Sequence, residues 1–222
     1  MGRKRFIVVG LGNFGASIAA TLHGLGHEVA AIDKSPERVD RLGRTVTRAA
    51  VGDGTNAGDL KRLGAENADA AIISTGEDIT SSALSALVLR DLEVQEIYVK
   101  VTSGEHARLI GKIGVTETIF PEQESGIRLG RRIANRLLLD YVEFASGVGL
   151  QEMAVPNAWI GHSLRDLALP RKIGIVVVAV HDMLRDEVQA TPDPDAPLKE
   201  SDTLIVAGRT EDLERAAKSY AA

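Results

Sequence analysis

The chain has 222 residues, is 44% apolar and 26% charged, carries a formal charge of −5 and contains no cysteine. That length accommodates one large domain or two smaller ones, and so ordinary a composition leaves little room for disorder. Disulfides, thiolate zinc sites and thiol catalysis are excluded, the five histidines (His23, His27, His106, His162, His181) lack metal-ligand spacing, and the acidic balance argues against broad nucleic-acid binding.

The basic start Met1-Gly2-Arg3-Lys4-Arg5 runs into a strand-like segment, Phe6 to Val9, and lacks the core of a signal peptide. Gly10-Leu11-Gly12-Asn13-Phe14-Gly15 follows at once, a G-x-G-x-x-G loop. In such a loop Gly10 permits the turn, Gly12 lets a pyrophosphate approach, and Gly15 lets the next helix sit close to the sheet. Free N–H groups and the positive end of a helix beginning near Phe14 would hold the phosphate. Phe14, Ile18, Leu22 and Leu25 recur at helical spacing, Gly26 stops the helix, and a second apolar run, Val29 to Ile32, ends in Asp33. An acid about 20 residues beyond the loop can accept hydrogen bonds from a ribose diol, and it repels a 2′-phosphate, which disfavours NADP. The alternative for the loop is a glycine-rich turn without a ligand.

Ser35-Pro36-Glu37 reads as a helix start, with Ser35 as N-cap and Pro36 at the first helical position. A strand near Val46 to Val51, the turn Gly52-Asp53-Gly54-Thr55 and a helix near Ala57 to Leu63 precede Ala68 to Ser74, apolar enough for a buried parallel strand. After Thr75-Gly76-Glu77-Asp78 comes a helix carrying Leu84, Leu87, Val88 and Leu92, then a strand at Ile97 to Val101. A helix with Ile110 and Ile113 facing inward precedes the sixth strand, Thr118 to Phe120. This alternation predicts an α/β domain, a Rossmann-like doubly wound parallel sheet of six strands with right-handed crossovers, over residues 1–121.

From Glu122 to about Val142, apolar Ile127, Ile133, Leu137, Leu138 and Tyr141 against basic Arg128, Arg132 and Arg136 read as one long connector helix, assigned to 122–145. The arginine row suits a solvated face; the alternative is contact with a second subunit. Residues 146–222 change character. Short strands at Leu150 to Val155, Ile173 to Val180, Glu187 to Ala190 and Thr203 to Val206, the Ser163-Leu164-Arg165-Asp166-Leu167 segment, the turn-rich Pro192 to Pro197 and a final helix, Glu211 to Tyr220, make a small α+β domain. A unit of that size often dimerises to complete its core.

Together these residues resemble potassium-transport regulators of the TrkA/KtrA type, built from an RCK N-domain and an RCK C-domain. The resemblance covers essentially the whole chain. It rests on Val9 to Gly15, on His27-Glu28-Val29 leading to Ile32-Asp33, and on Lys112-Ile113-Gly114 followed by Ile119-Phe120-Pro121-Glu122. Gly161 to Leu167 and Glu200 to Gly208 carry it through the C-terminal part. What it implies is a non-enzymatic, cytoplasmic gating ring, commonly an octamer of two-fold dimers. Such a ring sits under a membrane-embedded potassium-translocating subunit of the TrkH/KtrB type and responds to ATP, ADP or NAD(H).

By position in the family, Gly10, Leu11, Gly12, Asn13, Phe14 and Gly15 would hold phosphates and Asp33 the ribose. Lys34, Arg38, Asp53, Gly54, Thr55, Thr75, Gly76, Glu77 and Lys100 would complete the cleft. Glu122 stands where relatives bring an acid near the terminal phosphate, with a divalent cation, Mg or Ca, between subunits. Many ATP-responsive members carry Arg at the place of Asn13, which has no charge to offer a γ-phosphate. Some relatives bind cyclic di-AMP in the C-domain, for which Ile173 to Val178 would be the candidates.

Plainer roles stand beside these. Glu122 suits dipole compensation in a first helical turn, Asp53 suits turn closure, and Lys100 and Arg38 suit simple solvation. Two other functions also fit the N-terminal half. One is a small NAD-dependent oxidoreductase, which would need an acid or base near the nicotinamide. The other is a nucleotide sensor for another channel or an antiporter.

Overall fold

A computed structural model describes residues 2–134, 138–144 and 147–219. The chain divides into two compact units, Met1–Glu122 and Gln123–Ala222.

In the first unit, β1 (Arg5–Val9), β2 (Glu28–Asp33), β3 (Arg48–Val51), β4 (Ala70–Ile73), β5 (Glu96–Lys100) and β6 (Glu117–Ile119) form a parallel sheet in the order β3-β2-β1-β4-β5-β6. Successive strand side chains point to opposite faces, so alternation along β1 tells which faces are covered. Ile7 and Val9 join one core with Leu60, Leu89, Ile97 and Ile110, while Val8 joins another with Ala19, Val29, Val39 and Leu42. Both faces are therefore buried, which is why the strands read as continuous apolar runs.

The helices of this unit are α1 (Asn13–Gly24), α2 (Pro36–Leu42), α3 (Ala57–Arg62), α4 (Ile79–Asp91) and α5 (Gly104–Ile113). Four of them start at side-chain caps that satisfy a free N–H. Ser35 accepts from Arg38, Asn56 from Asp59, Asp78 from Ser81 and Ser103 from His106. On α4 the buried positions are Ser82, Ser85, Ala86 and Leu89, whereas Leu84 and Leu87 project outward, 46% and 45% exposed. Small residues against the sheet let α4 pack closely, and its leucines are left for another surface.

The helix α6 (Pro121–Ala134) crosses the boundary between the units. It ends well short of the connector expected over 122–145, because β7 (Leu138–Phe144) occupies the second half of that stretch. Tyr141, Val142 and Phe144 are residue types favoured in strands, but Asp140 and Glu143 fall three apart and Leu138 and Leu139 are adjacent, so the segment carries no period-2 alternation to set against the helical reading. Arg136 and Leu137 of the expected helix, and Tyr220 of the last one, lie outside the described residues.

In the second unit β7 joins β8 (Val148–Ala154), β9 (Ile175–Asp182), β10 (Glu187–Gln189) and β11 (Asp202–Arg209) in an antiparallel sheet of order β10-β9-β11-β8-β7. Three short helices, α7 (Leu164–Leu167), α8 (Leu169–Lys172) and α9 (Thr210–Ser219), accompany it. Met153, Trp159, Ile175, Leu204 and Leu213 form the core.

One buried titratable group joins two helices of the first unit. His106, 1% exposed on α5, accepts a hydrogen bond at Nδ1 from the Thr102 N–H (3.4 Å), and its Nε2 lies 3.1 Å from Ser82 Oγ on α4. With Nδ1 accepting, the proton resides on Nε2 and donates to Ser82. Burial disfavours the imidazolium and lowers the pKa from 6.5. On acidification the unfolded chain takes up this proton first, so the contribution of neutral His106 is full above pH 6.5 and declines below it. Urea unfolding at about pH 7.5 and about pH 5.5 is expected to show a smaller acid-induced loss in His106→Gln than in the parent, and equal losses would refute the assignment.

Candidate functional site

The site is built where β1 ends. Gly10 has φ +89°, donates its N–H to the Ile32 carbonyl at 2.8 Å, and approaches Ser74 so closely that a Cβ would stand 2.2 Å from the Ser74 oxygen. The same loop closes on itself at Gly15, whose Cβ would lie 2.0 Å from the Gly10 carbonyl oxygen. Gly12 differs: nothing lies within 4 Å of its Cβ position. Two glycines are thus required by the protein's own packing, and the third keeps a space open.

That space faces the start of α1. Gly12 caps the helix without a side-chain hydrogen bond, and the first intrahelical bond runs from the Ala16 N–H to the Gly12 carbonyl at 2.9 Å. The N–H groups of Asn13, Phe14 and Gly15 precede it, and the first turn holds no acidic residue. Their partial positive charge is available to an anion.

Asp33, at the end of β2, ties the loop to the neighbouring strand. Its Oδ2 accepts from the Leu11 N–H at 2.6 Å and its Oδ1 from the Ser35 N–H at 2.8 Å, and Arg38 Nη1 lies 3.5 Å from Oδ2. The side chain is 7% exposed, so only an edge of the carboxylate faces out. Leu11, Gly12, Asn13, Asp33, Lys34 and Arg38, all expected from the sequence, line one cleft of about 790 Å³. Ser35, Glu37 and Arg41 line it as well and were missed as site residues. A signal for them existed: with Ser35 as cap, Arg38 and Arg41 fall three apart, and Arg41 and Glu37 pair four apart at 3.1 Å.

The other expected residues sit elsewhere along the same edge of the sheet. Asp53 Oδ1 accepts from the Thr55 N–H at 2.9 Å and from its hydroxyl at 2.8 Å, and Asp53 Oδ2 pairs with Lys34 at 3.0 Å. The Thr55 main-chain bond leads in holding the Asp53 carboxyl below its usual range, with the Thr55 hydroxyl and Lys34 adding to it. Asp53 closes its turn and anchors a cation. Gly54 is packed so that a Cβ would meet Val9 at 2.2 Å. Thr75 donates to the Asp78 carbonyl at 3.3 Å, Gly76 turns at φ +71°, and Glu77 is exposed. At the end of β5, Lys100 Nζ lies 2.5 Å from Glu122 Oε1 and 5.9 Å from the centre of the Phe14 ring. The hydrogen bond from Lys100 leads in lowering the pKa of Glu122. Among the described residues no group of three or more His, Asp and Glu stands ready to hold a metal ion, and no helix is long and apolar enough to cross a membrane.

Residues 6–121 match the TrkA-N domain family and residues 150–220 the TrkA-C domain family. The chain belongs to the TrkA-N domain family. Two relatives of this TrkA-N protein come from Bacillus subtilis (strain 168). Ktr system potassium uptake protein A is 30% identical over 97% of both chains, and Ktr system potassium uptake protein C is 34% identical over 96% of both. Among solved structures, the GsuK RCK domain aligns over 98% of this chain at TM-score 0.54 and 21% identity, and the GsuK channel bound to NAD over 99% at 0.55 and 20%. Those likenesses are of fold, and the TrkA-N protein spans 46% and 39% of the two solved chains.

The three loop glycines separate in a test. Gly15→Ala forces a Cβ onto a carbonyl oxygen and is expected to cost about 3 kcal/mol or more in urea unfolding. Gly12→Ala is expected to leave stability within about 1 kcal/mol and to weaken ADP binding by calorimetry at least about tenfold. Equal stability losses would contradict this division of roles.

Proposed function

We propose that this chain is a regulatory subunit of a potassium uptake system that binds an adenine nucleotide, acts at the cytoplasmic face of a membrane-embedded potassium-translocating subunit, and catalyses no reaction. The observation that carries this reading is the pairing of an open α1 N-terminus with the Asp33 edge, in a chain aligned end to end with two potassium uptake proteins.

The residues fit such a ligand. Space over Gly12 admits a pyrophosphate, the α1 N–H groups complement its charge, and the outer edge of Asp33 can accept a ribose hydroxyl. Lys34, Arg38 and Arg41 border the adenosine end of the cleft, and Asn13 offers a neutral donor to whatever follows the second phosphate. ATP, ADP, NAD and NADH share these features, and the solved relative named for NAD is a precedent of fold. As for chemistry, Asp33 is engaged by two main-chain N–H groups, which leaves it poorly placed to shuttle a proton. This favours a ligand role over hydride transfer.

Glu122, the carboxylate that the family resemblance gives to a divalent cation, is already held by Lys100, so such a cation would draw its further donors from phosphates or from a second subunit. For cyclic di-AMP the segment Ile173 to Val178 offers aliphatic side chains and main chain alone, and that ligand forms no part of this reading.

Self-association is part of it. Leu84 and Leu87 on α4, Leu109 on α5, and Ile127, Leu129 and Ile133 on α6 are all exposed, and Ile133 reaches 72%. Single exposed apolar residues are ordinary, but three successive helices bearing them support burial against further copies in a ring of dimers.

Two outcomes are expected. Asp33→Ala should weaken ADP or NAD binding by calorimetry at least about tenfold, or about 1.4 kcal/mol, and unchanged affinity would sink the site. Light scattering at micromolar concentration should find an oligomer, with a strict monomer contradicting the ring.

A further inference from the structure

A second cavity, of about 320 Å³, opens at the opposite end of the first sheet's strands, where β1, β2 and β3 begin. Arg5 and Glu28 start β1 and β2, Thr47 and Arg48 stand at the start of β3, and Lys61 and Arg62 end α3; all six line it. Four cations and one acid therefore share one concave space, in a chain whose acids outnumber its cations.

Strand register brings the two arginines of the sheet together. Arg5 pairs with Glu28 and Arg48 with Ala30, and Glu28 and Ala30 are two apart on β2, so Arg5 and Arg48 share one face and flank β2. Two strand spacings, about 10 Å, separate their backbones, a gap that long side chains close from either side. Leu60 and Leu63 cover the same face next to Ala30, which sets the end of α3 over the cavity.

Both guanidiniums are fixed but not saturated. Arg5 gives Nε and Nη2 to Glu28 Oε1 at 2.9 and 2.5 Å, while its Nη1 lies where a Cβ on Gly64 would stand 3.1 Å away. Arg48 gives Nη1 to the Arg62 carbonyl at 2.8 Å. Among the described residues, Arg5 Nη1 and Arg48 Nε and Nη2 meet no acceptor, and Arg48 has no carboxylate partner. Thr47 Oγ1 accepts the Val29 N–H at 3.1 Å, which leaves its own hydrogen to donate. Lys61 pairs with Glu66 at 3.0 Å and Arg62 with Asp59, both acids outside the lining. Asp69 accepts the Arg5 main-chain N–H at 2.7 Å, and exposed Arg3 and Lys4 precede Arg5.

We propose that this cavity is a second anion site of the first unit, in which Arg48, Arg5 and the Thr47 hydroxyl hold a phosphate group, free or as a small monoester. Donors from three side chains suit a tetrahedral group with three or four acceptor oxygens better than a carboxylate with two, and guanidinium forks match such oxygens in pairs. Lys61 and Arg62, exposed at the end of α3, add attraction at the rim. Asp59, Glu66 and Asp69 around that rim disfavour a broad anionic surface and leave room for one small anion. Its occupant would tie together the starts of β1 and β2, the strands whose far ends lead to Gly10 and Asp33.

The test titrates inorganic phosphate into the full chain by phosphorus-31 NMR, at constant ionic strength in chloride, with and without saturating ADP. The parent is expected to bind in the millimolar range in both cases, Arg48→Gln to weaken binding at least about tenfold, and Arg41→Gln, in the other cleft, to leave it unchanged. Lys61→Gln is expected to weaken it about threefold and keeps the test open if Arg48→Gln fails to fold. Glycerol phosphate run alongside separates the sources: tighter binding than inorganic phosphate marks an esterified ligand, weaker binding the free ion. Phosphate binding that ADP abolishes belongs to the α1 end and overturns the proposal. Equal affinity in Arg48→Gln and the parent overturns it too, as does no binding by the parent at tens of millimolar. A parent chain that fails to bind ADP but loses phosphate with Arg48→Gln sinks the nucleotide reading and keeps this site.

Discussion

Three strand ends converge on Gly10, and the rest of the candidate site depends on how closely they do so. Gly10 bonds to the end of β2 through its N–H, while the Ser74 N–H beyond β4 bonds to the Val9 carbonyl at 2.7 Å. A side chain at Gly10 would overlap the Ser74 carbonyl, and one at Gly15 would overlap Gly10 itself. The chain can leave β1 and enter α1 in so little space only because both positions lack a Cβ. Since the strand order reverses at β1, that tight exit leaves a crevice beyond the carboxyl ends of the strands, where open α/β sheets bind ligands.

Charge along this edge is largely balanced before any ligand arrives. Asp33, Asp53 and Asp78 each accept main-chain N–H bonds from a neighbouring turn, from Ser35, Thr55 and Ser81. The same carboxylates or their neighbours hold the cations: Arg38 at Asp33, Lys34 at Asp53, Lys100 at Glu122. The acids therefore do structural work first, fixing loops through bonds to charged acceptors, which are stronger than neutral ones. Lys34 and Arg38 are the movable part, being long, more than half exposed and held by pairs of small net strength.

Much of this was legible in the sequence, for a physical reason. In a doubly wound sheet, backbone conformation and hydrophobic period are local properties, so the glycine loop, six strands and the cap at Ser35 could be read from neighbouring residues. The misreading at 122–145 arose because Ile133 and Tyr141, eight apart, keep a helical spacing past the end of α6, while β7 is set by pairing with β8, a contact no local window contains. The cleft was half legible for a similar reason. Main-chain geometry marked Gly12 and Asp33, but Glu37 and Arg41 enter only because α2 is oriented across the loop. Asp53, which by residue type could equally serve a ligand or a turn, is drawn into its turn by Thr55.

A regulator and an enzyme place opposite demands on such a cleft. Catalysis needs groups that are free to transfer protons and are held rigidly against a transition state. A switch needs a ligand whose affinity differs between two arrangements, because a ligand that binds both equally moves nothing. In this cleft the acids are occupied by main chain and the cations by exchangeable partners, so a phosphate-bearing ligand would change ion-pair partners without requiring a reactive group. The closeness of the strand ends at Gly10 leaves the backbone of the site little room to shift, so the ion pairs at its rim are the part that a ligand would rearrange.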